Sequence, residues 1–200
     1  RTGSGKTNLL SALKATGEQV VDLEKLANHK GSAFGALGQQ PQPSTEHFEN
    51  LLAEELTLLN PEKRIWLEDE SKLIGKVHLD LNFWNTLRTS PLFVVVLPLE
   101  VRVKNLLKDY GNFSTEDLKK SFSNIVKRLG NEQWKNAVAA LEENNFERAA
   151  KIALHYYDKA YDRGIALKET KEIFRLAFEE NNYNAIAKTL INEADKKYGN

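Results

Sequence analysis

The chain has no cysteine among its 200 residues, and this absence excludes several kinds of chemistry. Without a thiol, the chain forms no disulfide, offers no thiolate to a metal ion and holds no cysteine nucleophile. A chain free of cysteine suits a reducing compartment. We therefore expect a cytoplasmic protein.

The chain also lacks a long apolar run and a net charge. Its longest apolar stretch, 92–99, contains Pro98 and is too short for a bilayer-spanning helix, and no signal-like segment appears, so we expect no membrane partner. The 28 basic residues equal the 28 acidic ones, so no overall field attracts a polyanion such as DNA. Any surface that binds nucleic acid must therefore be local.

One stretch, 101–135, departs from this balance, because its eight basic residues outnumber four acidic ones. Such a stretch is either a face that contacts RNA or a solvated helix surface. The basic residues are Arg102, Lys104, Lys108, Lys119, Lys120, Lys127, Arg128 and Lys135.

The first residues, RTGSGKT, contain most of a P-loop, whose pattern is G-x-x-x-x-G-K-[ST]. In such a loop, backbone N–H groups and the following helix N-terminus bind phosphate oxygens, the lysine reaches the outer phosphate, and the hydroxyl binds Mg²⁺. We predict that Gly3, Ser4, Gly5, Lys6 and Thr7 bind phosphate and that Thr7 also serves a metal ion. Because a P-loop normally follows a buried strand, we expect that strand and the first glycine upstream of this sequence.

Residues 1–113 alternate short apolar runs with amphipathic stretches, which indicates a parallel sheet with crossover helices. Strands are predicted in EQVVDLE, RIWLEDE and PLFVVVLPLE, and helices at about 6–16, 45–59 and 81–89. The segment 27–44 between them, rich in Gly, Pro and Gln, is typical of a functional loop. We predict an α/β fold of the P-loop NTPase type, a three-layer sandwich around a parallel sheet.

Residues 114–200 show helical periodicity and no proline, which predicts an all-α C-terminal lobe. Within it, 140–161 and 177–198 align without gaps and share ten identical positions. This similarity indicates either a duplicated helix-turn-helix unit or two independent helical hairpins with the same Glu-Asn-Asn turn.

Acidic residues follow two of the predicted strands. Glu68, Asp69 and Glu70 end the strand RIWLEDE, where a P-loop site places a carboxylate that holds the water shell of a metal ion. Strand alternation puts Glu68 and Glu70 on one side and Asp69 on the other, without choosing among them. Asp22 and Glu24 follow the strand EQVVDLE, at the edge where α/β folds bind ligands.

Basic and hydroxyl side chains come next to these carboxylates in the sequence. His29, Lys30 and Ser32 follow Asp22 and Glu24 within the glycine-rich loop and could form a pocket for the acceptor substrate. Arg102, just past the third strand, is either a phosphate ligand or a surface residue at a helix start. No spacing of His, Asp and Glu indicates a metal cage.

Together the motifs TGSGKTNLLSAL, VVDLEKLANHKGSAFG, QPQPSTEHFEN, IWLEDESKLIG and VRVKNLLKDY resemble the P-loop part of tRNA 2-selenouridine synthases. The similarity covers about 1–113 well and the tail loosely. It implies a transferase of two parts, in which a rhodanese-like domain with a cysteine accompanies this P-loop domain in one chain or as a separate one. The implied substrate is the anticodon arm of tRNA, where wobble 2-thiouridine is S-geranylated by geranyl diphosphate and then converted to 2-selenouridine by selenophosphate.

The resemblance also implies roles for single residues. Some positions depart from the family pattern: Lys30 and Lys72 replace arginines and lose the planar grip on phosphate, and Asn112 stands where histidine is expected. Catalytic roles are implied for Asp22, His29, Glu68, Glu70 and Arg102. Substrate binding is implied for Glu24, Lys30, Gly31, Ser32, Gln42, Ser44 and Ser71, and a role at Mg²⁺ for Thr7 and Asp69.

Two other functions use the same features. A small-molecule or nucleoside-phosphate kinase would bind Mg²⁺-ATP at the same loop, although it leaves LANHKGSAFG and WLEDESKLIG without a role. A nucleotide-gated module would instead recruit a protein partner through the helical tail.

Overall fold

The computed structural model describes residues 1–199 and shows a mixed α/β fold. The helices are α1 (Lys6–Ala15), α2 (Leu23–Leu26), α3 (Thr45–Thr57), α4 (Leu81–Thr89), α5 (Leu99–Tyr110), α6 (Thr115–Ser123), α7 (Val126–Leu129), α8 (Asn131–Glu142), α9 (Phe146–Ala166) and α10 (Tyr183–Tyr198). The strands are β1 (Gln19–Val20), β2 (Ile65–Trp66), β3 (Leu73–Ile74), β4 (Val77–His78), β5 (Leu92–Val96) and β6 (Ile173–Ala177). None of the helices within the described residues is both long and apolar enough to cross a membrane.

The described strands pair two by two. β1 pairs in parallel with β2, and β5 pairs in parallel with β6, whereas β3 and β4 form an antiparallel hairpin that the sequence analysis did not predict. The three predicted strands and the three predicted helices of the first half are confirmed. The parallel pairing is confirmed too, but the three-layer sandwich stays a prediction, because the pairs do not join into one sheet among the described residues.

The prediction of an all-α tail is wrong at β6. This strand lies beside β5 in register, with Leu92 opposite Ile173 and Val96 opposite Ala177. The rings of Phe93 and Phe174 stack across the pair, 5.0 Å apart. β6 has only five residues with a charged one at its centre, so its apolar pattern is weak. The strand that pairs with it, β5, lies about 80 residues away in the sequence.

Both interpretations of the internal similarity, a duplicated helix-turn-helix unit and two independent helical hairpins, are wrong for its second copy. The first copy, 140–161, covers the end of α8, a turn and most of α9. The second, 177–198, begins on the last residue of β6 and continues into α10, so no helix precedes its turn. The similarity therefore reflects two helices that begin alike, each capped by an asparagine, Asn145 for α9 and Asn182 for α10.

Two sets of packed helices position the front of the chain. α10 packs on α1, where Leu13 and Ala187 are buried in one cluster. α5, α6, α8 and α9 pack together, and Phe34 of the glycine-rich loop enters their core beside Phe122. The loop 27–44 is thereby fixed to the helical part of the chain. The division at 113/114 into two domains stays a prediction.

Candidate phosphate-binding site

The backbone of residues 3–7 forms a turn that leads into α1. Gly3 and Gly5 have φ values of 74° and 72°, in the left-handed region that glycine adopts without strain. Gly5 is the N-cap of α1, and no side chain accepts a hydrogen bond from the first turn. Since the first amides of a helix have no intrahelical acceptor, their N–H groups and the helix dipole form a cradle for an anion.

Two side chains of α5 hold this turn from behind. Arg102 Nε donates to the carbonyl of Thr2 at 2.9 Å, and Asn105 Nδ2 donates to the carbonyl of Gly3 at 2.8 Å. A Cβ on Gly3 would lie 2.9 Å from the carbonyl oxygen of Arg102, so α5 approaches the turn too closely for a larger residue. Because donors from α5 bind these two carbonyls, the conformation of the turn is held in place by that helix.

Arg102 is buried, and its guanidinium is largely occupied. Nη1 and Nη2 donate to the two carboxylate oxygens of Asp158 on α9, at 2.9 and 2.7 Å. Burial acts to raise the pKa of Asp158, but the Arg102 charge outweighs it and holds that pKa below its usual value. The structure thus brings Arg102 to the loop, where it positions the backbone and ties α9 to it.

Lys6 lies among buried carboxylates. Its Nζ is 3.2 Å from Glu24 Oε1 and 3.8 Å from Glu70 Oε1, and both glutamate side chains are less than a tenth exposed. Burial opposes the charged form of Lys6, but the negative charges of Glu24 and Glu70 outweigh it and raise the pKa of Lys6. Burial raises the pKa of Glu70 to about 8 despite the nearby lysine, with Glu24 adding to the shift. A Cβ on Gly31 would lie 2.6 Å from Glu24 Oε1, so this glycine covers the pair closely.

Glu68 and Asp69 have separate partners. Glu68 Oε2 accepts a hydrogen bond from Leu23 N–H at 3.0 Å, and burial, with the charge of Asp22, raises the pKa of Glu68 to about 9. Asp69 forms an ion pair at 2.7 Å with Lys168, whose side chain is only 2% exposed. β2 ends at Trp66, before these residues, and Asp69 contacts a different part of the chain from Glu68.

The carboxylates do not form a metal cage. Within residues 1–199, no group of three or more His, Asp or Glu side chains is arranged to hold a metal ion. Thr7 is exposed at the start of α1, whereas Asp69 is held by Lys168. A Mg²⁺ site at Thr7 and Asp69 therefore stays a prediction.

Asp22 and His29, both predicted as catalytic, have structural contacts. Asp22 caps α2 by accepting a hydrogen bond from Lys25 N–H at 2.8 Å. His29 is buried, and burial lowers its pKa. Its ring packs closely on two glycines, because a Cβ on Gly35 or on Gly75 would lie 2.7 Å from a ring carbon. His29 Nδ1 has no hydrogen-bond partner among the described residues, so a neutral imidazole is the form that fits this place.

The predicted substrate-binding residues divide into two groups. Lys30 lies over the ring of Tyr110 at 5.4 Å, and Ser32 accepts a hydrogen bond from Phe34 N–H, so both lie at the junction of the glycine-rich loop with α5.

The second group has local structural contacts. The amide of Gln42 makes three hydrogen bonds with backbone atoms, which hold its segment against the β3–β4 hairpin. Ser44 caps α3, and the Ser71 hydroxyl donates to a carbonyl two residues along the chain. These three side chains serve local structure in this conformation.

Several residues around the loop were missed by the sequence analysis. The Tyr183 ring at the start of α10 lies against Gly5, and its hydroxyl accepts a hydrogen bond from Asn105 at 3.2 Å. Asn181 in turn donates to Asn105 Oδ1 at 2.8 Å. Asn105 follows Arg102 by three residues, a spacing that places both on one helix face and could have indicated it. No local signal points to Lys168 or Tyr183.

A P-loop amide cradle with buried carboxylates at the next strand end is common to many enzymes, and comparison with known proteins identifies the family. The family model of the tRNA 2-selenouridine synthase AAA domain matches residues 1–194. The chain belongs to this family. The resemblance in the sequence motifs is therefore confirmed, and no solved structure matches the chain.

Relatives that carry the name tRNA 2-selenouridine synthase are similar along much of the chain. The Bdellovibrio bacteriovorus protein is 46% identical over 113 residues, covering 54% of this chain and 29% of the relative. The Sulfurovum sp. protein is 32% identical, covering 88% of this chain and 55% of the relative. The Hydrogenovibrio crunogenus protein is 33% identical, covering 86% and 53%. The chain thus spans about half the length of the last two relatives.

Proposed function

We propose that this chain is the phosphate-binding part of an enzyme that converts wobble 2-thiouridine of tRNA to 2-selenouridine. In this proposal the cradle of Gly3, Ser4, Gly5, Lys6 and Thr7 holds the diphosphate of geranyl diphosphate. The uridine sulfur displaces that diphosphate, and selenium from selenophosphate then replaces the geranylthio group. A rhodanese-like domain with a cysteine, in the same chain or a separate one, contributes to the remaining chemistry.

The observation that carries the proposal is the braced amide cradle with Lys6 beside it. Charge develops on the leaving diphosphate as its bond to carbon breaks, and fixed N–H donors stabilise that charge without reorganising. Arg102 and Asn105 supply the rigidity by binding the carbonyls of Thr2 and Gly3.

The carboxylates near Lys6 would repel a diphosphate if they all carried negative charge. Burial raises the pKa of Glu70 to about 8, which favours its neutral form. Glu24 pairs with Lys6 at 3.2 Å, and an incoming phosphate would share that lysine. Mg²⁺ bound to the phosphates and to one carboxylate would further reduce the repulsion.

A calorimetric titration tests the assignment of the cradle. We expect the protein to bind geranyl diphosphate more tightly than ATP, and Lys6→Ala to weaken this binding at least tenfold. Lys14→Ala is the matched control, because Lys14 is an exposed lysine in the last turn of the same helix. A preference for ATP would favour the kinase, and an unchanged affinity in the Lys6 variant would show that the donor binds elsewhere.

The activity itself is tested in cells. We expect mass spectrometry of tRNA nucleosides to show no 2-selenouridine in cells that lack the full-length gene, and a full-length gene carrying Lys6→Ala to fail to restore it. Restoration by Lys6→Ala would contradict a role for the cradle. An unchanged nucleoside profile in the deleted strain would contradict the proposed function as a whole.

A further inference from the structure

A groove between α7, α8 and α9 collects basic side chains far from the P-loop in sequence. We call it the basic groove, and its volume is about 920 Å³. One acidic side chain, Glu147, lines it. The basic side chains that line it are Arg128, Arg148, Lys151, His155, Lys159 and Arg163.

Most of these residues form a stripe along α9. The steps from Arg148 to Lys151, His155, Lys159 and Arg163 are three, four, four and four residues, which places them on one face of the helix. The stripe is about 22 Å long at 1.5 Å per residue, enough to meet several phosphates of a nucleic-acid strand. The whole chain carries no net charge, so this concentration is a local feature.

Part of the charge in the groove is not neutralised by the protein. Arg148 and Lys151 have carboxylate partners, at 3.4 Å from Glu143 and 2.8 Å from Glu147. Among the described residues, no carboxylate forms an ion pair with Arg128, Lys159 or Arg163, and all three are exposed. Exposed arginines with free donors bind phosphate oxygens at two points.

The helix α9 also contacts the candidate site. The Tyr157 hydroxyl accepts a hydrogen bond from Ala33 N–H at 3.0 Å, and Asp158 binds Arg102 behind the phosphate-binding turn. A polyanion bound along the basic groove would therefore contact a helix that is itself fixed to that turn.

We infer that the basic groove binds the sugar–phosphate backbone of the RNA substrate. The inference rests on the proposed function, since the RNA it names is tRNA. The RNA contact, which the sequence placed in the stretch 101–135, is thereby placed mainly on α9. Within that stretch, Arg128 lines the groove, whereas Arg102 is buried against Asp158. Phosphate contacts of this kind position the RNA without reading its sequence.

Binding of unmodified tRNA, measured by fluorescence anisotropy at several salt concentrations, tests the inference. The first variant is Lys159→Gln/Arg163→Gln. The control is Lys104→Gln/Lys108→Gln, which removes the same charge from exposed residues of α5 within the stretch 101–135. We expect the groove variant to bind at least tenfold more weakly at low salt and the slope of log K against log[salt] to fall by about 2, one for each lost phosphate contact. The control should change affinity less than threefold.

Three outcomes would overturn the inference: equal losses in both variants, a loss confined to the control, or tighter binding of poly-glutamate than of tRNA at the groove. Geranyl diphosphate titration of the same variants separates this inference from the proposed function. If both variants bind geranyl diphosphate normally and the groove variant loses no more tRNA affinity than the control, the inference fails and the proposed function is unaffected. Thermal melting of both variants confirms that they fold, since all four substituted side chains are exposed.

Discussion

The substitution Gly5→Ala tests how tightly the phosphate-binding turn is built. A Cβ at this position would lie 2.0 Å from the Tyr183 hydroxyl oxygen and 2.5 Å from its Cζ, distances that no real contact adopts. The φ of 72° adds about 1–2 kcal/mol of backbone strain for a residue with a Cβ. Moving Tyr183 would lose the hydrogen bond from Asn105, worth about 1 kcal/mol, and disturb its packing at a cost of about 1–3 kcal/mol. We expect a total loss of about 3–6 kcal/mol.

Gly17→Ala is the matched control, because Gly17 also has a positive φ, 91°, but nothing lies within 4 Å of its added Cβ. It should cost only the backbone strain, about 1–2 kcal/mol. Urea unfolding gives both values, and Tyr183→Leu completes the cycle: in that background, Gly5→Ala should cost no more than Gly17→Ala. Equal costs of the two glycine substitutions in the unaltered chain would refute the close contact between α10 and the turn.

Three further changes test the electrostatics of the site. Arg102→Lys keeps the charge but loses the two-point grip on Asp158, and urea unfolding should show a loss of about 2–4 kcal/mol; a loss under 1 kcal/mol would contradict the brace. The pKa of Glu70 is raised from 4.5 to about 8 in the folded chain, so the folded state binds more protons in that window and stability falls as pH rises from about 4.5 to about 8. Glu70→Gln should reduce this loss of stability between pH 4.5 and about 8. An unchanged dependence of the free energy of unfolding on pH would contradict the burial of Glu70. Lys168→Met leaves Asp69 without its partner and should lower the melting temperature, whereas Lys168→Met/Asp69→Asn should recover most of the loss.

The sequence predicted best what depends on short-range patterns. The β-branched run of β5 and the glycines of the phosphate-binding turn each act over a few residues, and the structure has them where they were expected. β6 was missed because its pairing with β5 joins residues about 80 positions apart. Lys168 and Tyr183 were missed for the same reason, since each contacts residues that are far from it in the sequence.

Chemical roles were less predictable than positions. Carboxylates at two strand ends were expected near the P-loop lysine, and Glu24 and Glu70 do contact Lys6. Which carboxylate contacts it depends on burial and on side-chain direction beyond the strand, as the pairing of Asp69 with Lys168 shows. Arg102 was expected to be either a phosphate ligand or a surface residue, and it instead binds backbone and a carboxylate from α9, a helix whose position no local pattern encodes.

The two parallel pairs of strands border one cavity. β2 and β5 both line a cavity of about 290 Å³ that Lys6 and Arg1 also border, and among the described residues neither strand pairs with another on that side. The P-loop pattern predicts a strand leading into the turn. A strand that enters at Arg1 would lie between β2 and β5 and join the two pairs into one five-stranded sheet.

Hydrogen exchange can test this arrangement residue by residue. Leu92 N–H donates to a carbonyl beside β6, and the carbonyl of Val96 accepts from Phe178 on the same side. Since backbone groups alternate along a strand, Phe93 and Val95 direct their amides at the cavity, whereas Val94 directs its amide at β6. In a longer form of the protein that includes residues upstream of Arg1, we expect the Phe93 and Val95 amides to exchange at least tenfold more slowly than in the chain that begins at Arg1, while the ratio for Val94 stays smaller. Equal ratios at all three positions would contradict the insertion of a strand at this place.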